Sequence, residues 1–322
     1  MTTPHGRSLR GGFTLIELMV GLLLMVAVGG VAYKLLLNSQ WVSRSQSQRI
    51  GMQDNGRSGT GIIENELREV GYDQISAGAL PLIQAKFPLA TLAAAVNSDV
   101  RAIGPDSITY RAMRGLGYTC SLLPGTADVV VIDKPADSRR WQAYRELTTS
   151  DSLLLYVEND DKSSADDMWV TVGLTAAPVA QTCADGVTAG KRFRIAVPAG
   201  LSITPTQLFA NMIKGGPVRA FELMQVRTYT SGGQTWLGMR AQPTTAGTPL
   251  EPVIGPLAGA TGLAFSFRDA NNVATNVADN VRSVAVTLQP RSDGLVRTAG
   301  NAAKLDTITM TTRVALRNAL RP

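Results

Sequence analysis

Apolar and polar positions are distributed very unevenly along this chain of 322 residues. Positions 13–33 form an apolar run of 21 residues in which Glu17 is the single charge. At a rise of about 1.5 Å per residue, a helix of that length spans roughly 30 Å, the hydrocarbon thickness of a bilayer. Beyond Tyr33 the composition turns polar, with Gln46, Gln48, Arg49, Gln53 and Arg57 interleaved with Ile50, Met52, Ile62, Ile63, Leu67 and Val70. Ile63, Leu67 and Val70 keep the i, i+4, i+7 spacing of one helix face. The pattern predicts one long helix from Phe13 to about Val70. Its first half is apolar all round; its second lays one face on a globular domain. Gly51, Gly56, Gly59 and Gly61 weaken the continuity of that helix, and Gly71 is its expected stop.

From Asp73 onward the pattern changes to short β-type runs punctuated by Gly and Pro. Strands are predicted at 107–111, 128–132, 153–157, 169–172, 193–197, 220–229, 235–240, 263–268, 281–288 and 307–317. Ser231-Gly232-Gly233 between two of these reads as a hairpin loop. Val284, Val286 and Leu288 fall on one face of their strand, and Ser283, Ala285 and Thr287 on the other, as in an antiparallel sheet with one covered face. An Ala- and Leu-rich stretch at 81–96 has room for a short helix. The expected fold class is α+β: a long N-terminal helix, transmembrane in its first half, packed on an antiparallel, sheet-rich head. That head is about 250 residues, large for one domain, with no composition break, repeat or low-complexity tract to divide it.

Charge and composition narrow the function. His5, Arg7 and Arg10 precede the apolar run and no acid does, which predicts a cytoplasmic N-terminus and an exported head. No A-x-A cleavage pattern follows the run, so an ordinary secretory signal does not fit. Glu17 inside the run costs about 2.5–3.5 kcal/mol on insertion scales, and an intramembrane charge reads as a functional group awaiting a partner. His5 is the single histidine, so the chain beyond it lacks Ser-His-Asp and Cys-His catalysis and His-ligated metal sites. The formal charge of +6 carries no Lys/Arg block, so nucleic acid is not a demanded partner. An even, small cysteine count in an exported domain argues for one disulfide, Cys120–Cys183, with free thiols or an intersubunit bridge as alternatives.

The stretch Gly12-Phe13-Thr14-Leu15-Ile16-Glu17-Leu18-Met19-Val20 resembles the class III signal of type IV pilins and type II secretion pseudopilins. The resemblance implies cleavage after Gly12 by a prepilin peptidase on the cytoplasmic face and N-methylation of Phe13. Loss of the leader takes Arg7 and Arg10 with it, and the charge falls to +4. It also implies that Glu17 pairs with the N-terminal amine of a neighbouring subunit, a registry device between two charges that low dielectric tolerates only together. A plain signal anchor explains the arginines and the apolar run but not this motif. The segment Leu67-Arg68-Glu69-Val70-Gly71-Tyr72 resembles the end of this helix in PilW-type minor pilins. The pair 281–288 and 311–318, with Phe265–Asp269 before it, resembles the closing strands of PilW-type minor pilins and J-type pseudopilins.

The boundaries that follow are a leader at 1–12, a membrane or filament-core helix half at 13–37, an amphipathic half at 38–72 and a periplasmic or extracellular head at 73–322. The function implied is a non-enzymatic minor pilin, priming assembly or forming a pilus tip. It would be held first in the bacterial inner membrane and then in an extracellular pilus. Its implied partners are other minor pilins, the major pilin and a large tip adhesin. The alternatives are a J-type pseudopilin of type II secretion and a pilus-borne subunit that binds DNA or another ligand.

Smaller features carry bland readings beside sharper ones. Gly29-Gly30 costs about 2 kcal/mol of helix propensity, which allows local melting on assembly or close helix packing. The acidic loop at 159–167 reads as a solvated hairpin loop; calcium is the alternative, although the central Gly and terminal Glu of an EF-hand are missing. Glu64 and Arg68 form an i,i+4 pair. Trp41, Trp141, Trp169 and Trp236 are scattered and read as packing residues. Neither a phosphate-binding glycine loop nor a specific pair of catalytic carboxylates stands out, and no cofactor or metal is expected.

Overall fold

A computed structural model describes residues 12, 14–68, 70, 99–158, 168–197, 203–241, 248–296 and 302–316. The expected helix at 81–96, the acidic loop at 159–167, Gly71 and Phe13 lie outside the described residues. The chain divides into two compact units, Met1–Met52 with Ser292–Asp306, and Gln53–Arg291 with Thr307–Pro322. One helix, α1 (Leu15–Arg68), supplies residues to both. It runs without a break through Gly29-Gly30 and through Gly51, Gly56, Gly59 and Gly61.

In the first unit, the helix residues from Leu15 to Val42 present large apolar side chains to the surroundings; Leu15 is 79% exposed and Met25 77%. Helix α1 is long and apolar enough to cross a membrane. Further along, described residues of 292–296 and 302–306 pair with each other and bond to the helix. Val296 and Lys304 exchange backbone hydrogen bonds of 2.8 and 3.1 Å. The Gly294 amide donates to Gln48 Oε1 at 3.1 Å, and Arg49 Nε donates to Asp306 Oδ2 at 3.1 Å.

The second unit holds fourteen strands among the described residues. They are β1 (Val100–Gly104), β2 (Ser107–Leu123), β3 (Asp128–Ile132), β4 (Gln142–Ala143), β5 (Ser152–Val157), β6 (Met168–Leu174), β7 (Val179–Thr182) and β8 (Ala189–Ala196). A short helix α2 (Pro205–Ala210) follows, then β9 (Pro217–Ser231), β10 (Gln234–Ala241), β11 (Glu251–Leu257), β12 (Leu263–Arg268), β13 (Ser283–Leu288) and β14 (Met310–Ala315). All the pairings are antiparallel, as expected where hairpin turns join neighbours.

Six strands close on themselves. β2 pairs β3, β3 pairs β8, β8 pairs β6, β6 pairs β5, β5 pairs β9, and β9 returns to β2. Closure removes the free edges that would otherwise invite another strand. Period-2 alternation fills the interior: Val129 and Val131, Leu153 and Leu155, Val170 and Val172, Phe193 and Ile195, Val218 and Ala220 share one core. Leu208 and Phe209 of α2 join it. A capping box between Thr204 and Gln207, with Pro205 at the first helical position, starts that helix.

β2 and β9 are long enough to serve a second core. Past the ring, β9 leaves β5 for β10 and β2 takes β1 as its outer neighbour. The β9–β10 turn is Gly232-Gly233, with φ of +60° and +74°, the left-handed conformation a two-residue hairpin needs. Ile63 and Leu67 of α1 and Val70 pack with Ile108, Tyr110, Val226 and Leu237 from this part of the sheet. A separate sheet of three strands, β12-β13-β14, contributes Phe265, Val284, Val286, Leu288 and Val314 to the same core. Here Val284, Val286 and Leu288 are buried while Ser283, Ala285 and Thr287 are half-buried. A Cβ on Gly56 would meet Met310 Sδ at 2.5 Å, and one on Gly59 would meet Ile254 Cδ1 at 2.5 Å. These two glycines let the helix approach the strands closely.

The architecture is α+β: a long apolar N-terminal helix followed by a large antiparallel, sheet-rich domain. Several strand limits differ from the sequence reading. β2 extends to Leu123 rather than stopping at Arg111, because a bulge at 113–115 absorbs the irregular Met113-Arg114-Gly115 stretch. β1, β4, β7, β11 and α2 were not expected.

Candidate functional site

Three constellations bear on function. The first is the start of α1. Leu15 is its first helical residue, and the four leading N–H groups of any helix need partners outside it. Thr14 and Glu17 supply two of these partners reciprocally. The Glu17 amide donates to Thr14 Oγ1 at 3.3 Å, while the Thr14 amide and hydroxyl both donate to Glu17 Oε2 at 3.4 Å. This is a capping box, and it sets a carboxylate at the positive end of the helix dipole. The sequence reading singled out Glu17 for its charge and missed the box, although T-x-x-E ahead of an apolar run is its signature. The same device recurs at α2 with Gln207 in the acid's place, its Oε1 accepting from the Thr204 amide at 2.8 Å. Capping alone therefore requires no charge at the third helical position. Gly12 precedes this box with open space around it, and Phe13 lies outside the described residues.

The second is a chain of ion pairs in the second unit. Tyr110 Oη donates to Glu66 Oε2 at 3.1 Å, and Arg114 Nη2 donates to the same oxygen at 3.3 Å. Arg114 Nε donates to Glu222, which also accepts from Arg145. Arg145 forks onto Asp151, with Nη1 and Nη2 at 2.8 and 2.7 Å from its two oxygens. The chain thus ties α1 to β2, β9 and the 145–151 segment. Burial, together with the charge of Glu66 and its hydrogen bond, pushes the Tyr110 hydroxyl well above its ordinary pKa. Burial opposes the charge of Arg114, but the bonds from Glu222 and Glu66 outweigh it and raise its pKa. Arg145 is raised too, mainly by Asp151. All of this locks charges in place; none of it is a group poised for proton transfer. Glu64 and Arg68 form their i,i+4 ion pair on the exposed side of α1.

The third is the disulfide. Cys120, in β2, bonds Cys183, which follows β7, with 5.6 Å between their Cα atoms. The tryptophans divide. Trp141 is buried against Phe193 with ring centroids 4.8 Å apart, and Trp169 meets Tyr156 at 5.3 Å and carries the Arg219 guanidinium at 4.7 Å. Trp236 donates its indole N–H to the Ser231 carbonyl at 3.3 Å, and Trp41 is partly exposed on α1. Among the described residues, no group of three or more His, Cys, Asp or Glu side chains gathers as a metal site would.

Comparison with known proteins bears on the first constellation. Neither a curated protein nor a solved structure matches the chain. A family model described as the prokaryotic N-terminal methylation motif matches residues 7–33. The match covers Gly12, the capping box and most of the exposed apolar half of α1. Such a signal implies processing by a prepilin peptidase and assembly with other pilins at the membrane. An apolar helix able to cross a bilayer follows directly, which supports membrane anchoring. In this region the chain is type IV pilin-like.

Proposed function

We propose that this chain is a minor pilin, a non-catalytic subunit that primes assembly of a type IV pilus or sits at its tip. The observation that carries the reading is the methylation motif leading into a helix whose apolar half is exposed among the described residues, in a chain with a bulky sheet-rich head. A head of this size packs poorly at every position of a thin filament and is tolerable at an end. In this reading the peptidase cuts after Gly12, Phe13 is N-methylated, and residues 13–37 sit first in the inner membrane and then in the filament core. The amphipathic part, 38–72, follows, with its helix ending at Arg68; 73–322 form the exported head, and the Cys120–Cys183 bridge forms after export.

Glu17 would fix axial register by pairing with the Phe13 amine of a neighbour. The contrast with Gln207 supports this, because an amide caps a helix equally well and a bare carboxylate in hydrocarbon is costly. Among the described residues, the capping bonds engage the Oε2 atom of the Glu17 carboxylate. Glu17→Gln keeps the capping box and removes the charge. We expect normal membrane insertion and leader cleavage with at least about tenfold fewer subunits recovered in filaments, the size of a lost charge-assisted contact. Wild-type recovery would refute the pairing. Mass spectrometry of the N-terminal peptide from sheared filaments tests the wider reading: a methylated Phe13 is expected, and an intact Met1 confined to membranes overturns it. Retained exoenzymes on deletion, with pili intact, would move the subunit to the pseudopilins of type II secretion.

A further inference from the structure

Where α1 leaves its apolar run, five side chains share one face. Tyr33, Lys34, Leu37, Trp41 and Arg44 fall within about 100° of one another around the helix axis. Tyr33 is 64% exposed and Trp41 37%, and Lys34 and Arg44 are exposed as well. Apolar residues continue to Leu37, so the edge of the hydrocarbon falls between Tyr33 and Leu37. Trp41 then stands about 6 Å beyond Leu37 and Arg44 about 10 Å, with side chains that lean back toward the helix start. The headgroup layer is roughly 5–8 Å deep on each side, within reach of both. Tyr and Trp rings suit that boundary, apolar in body and polar at one edge.

Between Leu18 and Gln53 the helix carries Lys34, Arg44 and Arg49 and no acid. Arg49 meets Asp306 at 3.1 Å. The segment bonded to the helix at Gln48 and Arg49 adds Lys304, which is exposed, and Asp293. Past the apolar run, the described charges of this unit are therefore Lys34, Arg44, Arg49 and Lys304 against Asp293 and Asp306, a surplus of two cations. A zwitterionic headgroup brings its own cation to its phosphate; an anionic one takes its cation from elsewhere. Cations set beside aromatic rings at the edge of a bilayer match the second kind. We propose that this stripe binds anionic phospholipid headgroups in the leaflet where the helix leaves the bilayer, with Lys34 and Arg44 on the phosphates and Tyr33 and Trp41 at the boundary. Such binding requires α1 to cross a membrane and does not require a pilus.

NMR of the indole N–H groups, with the full chain in phosphatidylcholine bicelles, tests this, and Trp41→Phe assigns the signal. On titration with phosphatidylglycerol we expect the Trp41 signal to shift and saturate while those of Trp141, Trp169 and Trp236 stay in place. The phosphatidylglycerol fraction at half-saturation should rise about fivefold in Lys34→Gln and about fivefold in Arg44→Gln, the weight of one cation at an anionic surface. Both positions are exposed, so neither variant disturbs the head. Arg7 and Arg10 precede the apolar run, at the other end of the span, and leave this signal alone. A Trp41 signal indifferent to phosphatidylglycerol, a titration unchanged in both variants, or an equal shift with octathymidylate in pure phosphatidylcholine bicelles would overturn the proposal.

Discussion

The two ends of α1 use the same kinds of residue and meet opposite surroundings. Leu22, Leu23 and Leu24 are 59%, 66% and 61% exposed, whereas Ile63 and Leu67 are wholly buried. The difference lies in arrangement. Near its start the helix is apolar on every face, so no single covering layer within the chain could satisfy it; it calls for lipid or other helices. Near its end a narrow apolar stripe, with Glu66 bonded to Tyr110 beside it, meets one side of the head, and Glu64 and Arg68 pair on the exposed side. Apolar content says that a helix needs a partner; periodicity says whether the chain brings that partner with it.

Cutting side chains at the two ends should separate these roles. Leu67→Ala is expected to cost the head about 3 kcal/mol in urea unfolding, the usual loss for a buried leucine. Leu23→Ala should leave that transition where it is. Equal effects would mean that the bare stretch also stabilises the head.

Glycines sharpen the contrast. Gly59→Val drives a branched side chain into Ile254 and should destabilise the head by about 2 kcal/mol. Gly30→Ala enters open space and should raise helix stability by about 1 kcal/mol, read as slower amide exchange in micelles. Faster exchange there would argue that the glycine pair serves some contact its own chain does not provide. The smallest expected effect is at the cap. Thr14→Ala should cost the first turn about 1 kcal/mol and speed exchange of the Leu18 amide, which bonds the Thr14 carbonyl at 3.2 Å. Unchanged exchange would leave the capping box without energetic weight.

Local patterns made a large part of this architecture readable in advance. The limits of β3 and β12 coincide with their apolar runs, and the Gly232-Gly233 turn follows from residues that accept positive φ. The missed strands each lack the local cue. β4 is two residues long, β7 is largely exposed, and β11 carries two prolines. β1 has apolar residues only in part and takes its place by pairing with β2. The ring of six strands was illegible for another reason: closure depends on which strands find one another, and that is decided by packing far apart in sequence. The ion-pair chain likewise joins residues 66, 114, 145, 151 and 222, which no spacing rule connects. At the N-terminus the methylation signal and the apolar run were visible, while the reciprocal bonds of Thr14 and Glu17 were overlooked.

The Cys120–Cys183 bridge spans 63 positions of sequence, and its consequence is temporal. Cytosolic thiols stay reduced, so under the exported orientation proposed above the bond can form only once both cysteines have crossed the membrane. The oxidation state of a single molecule is then a record of its passage. Alkylating trapped thiols in whole cells would sort newly made subunits from delivered ones, a clock for translocation that needs no added label.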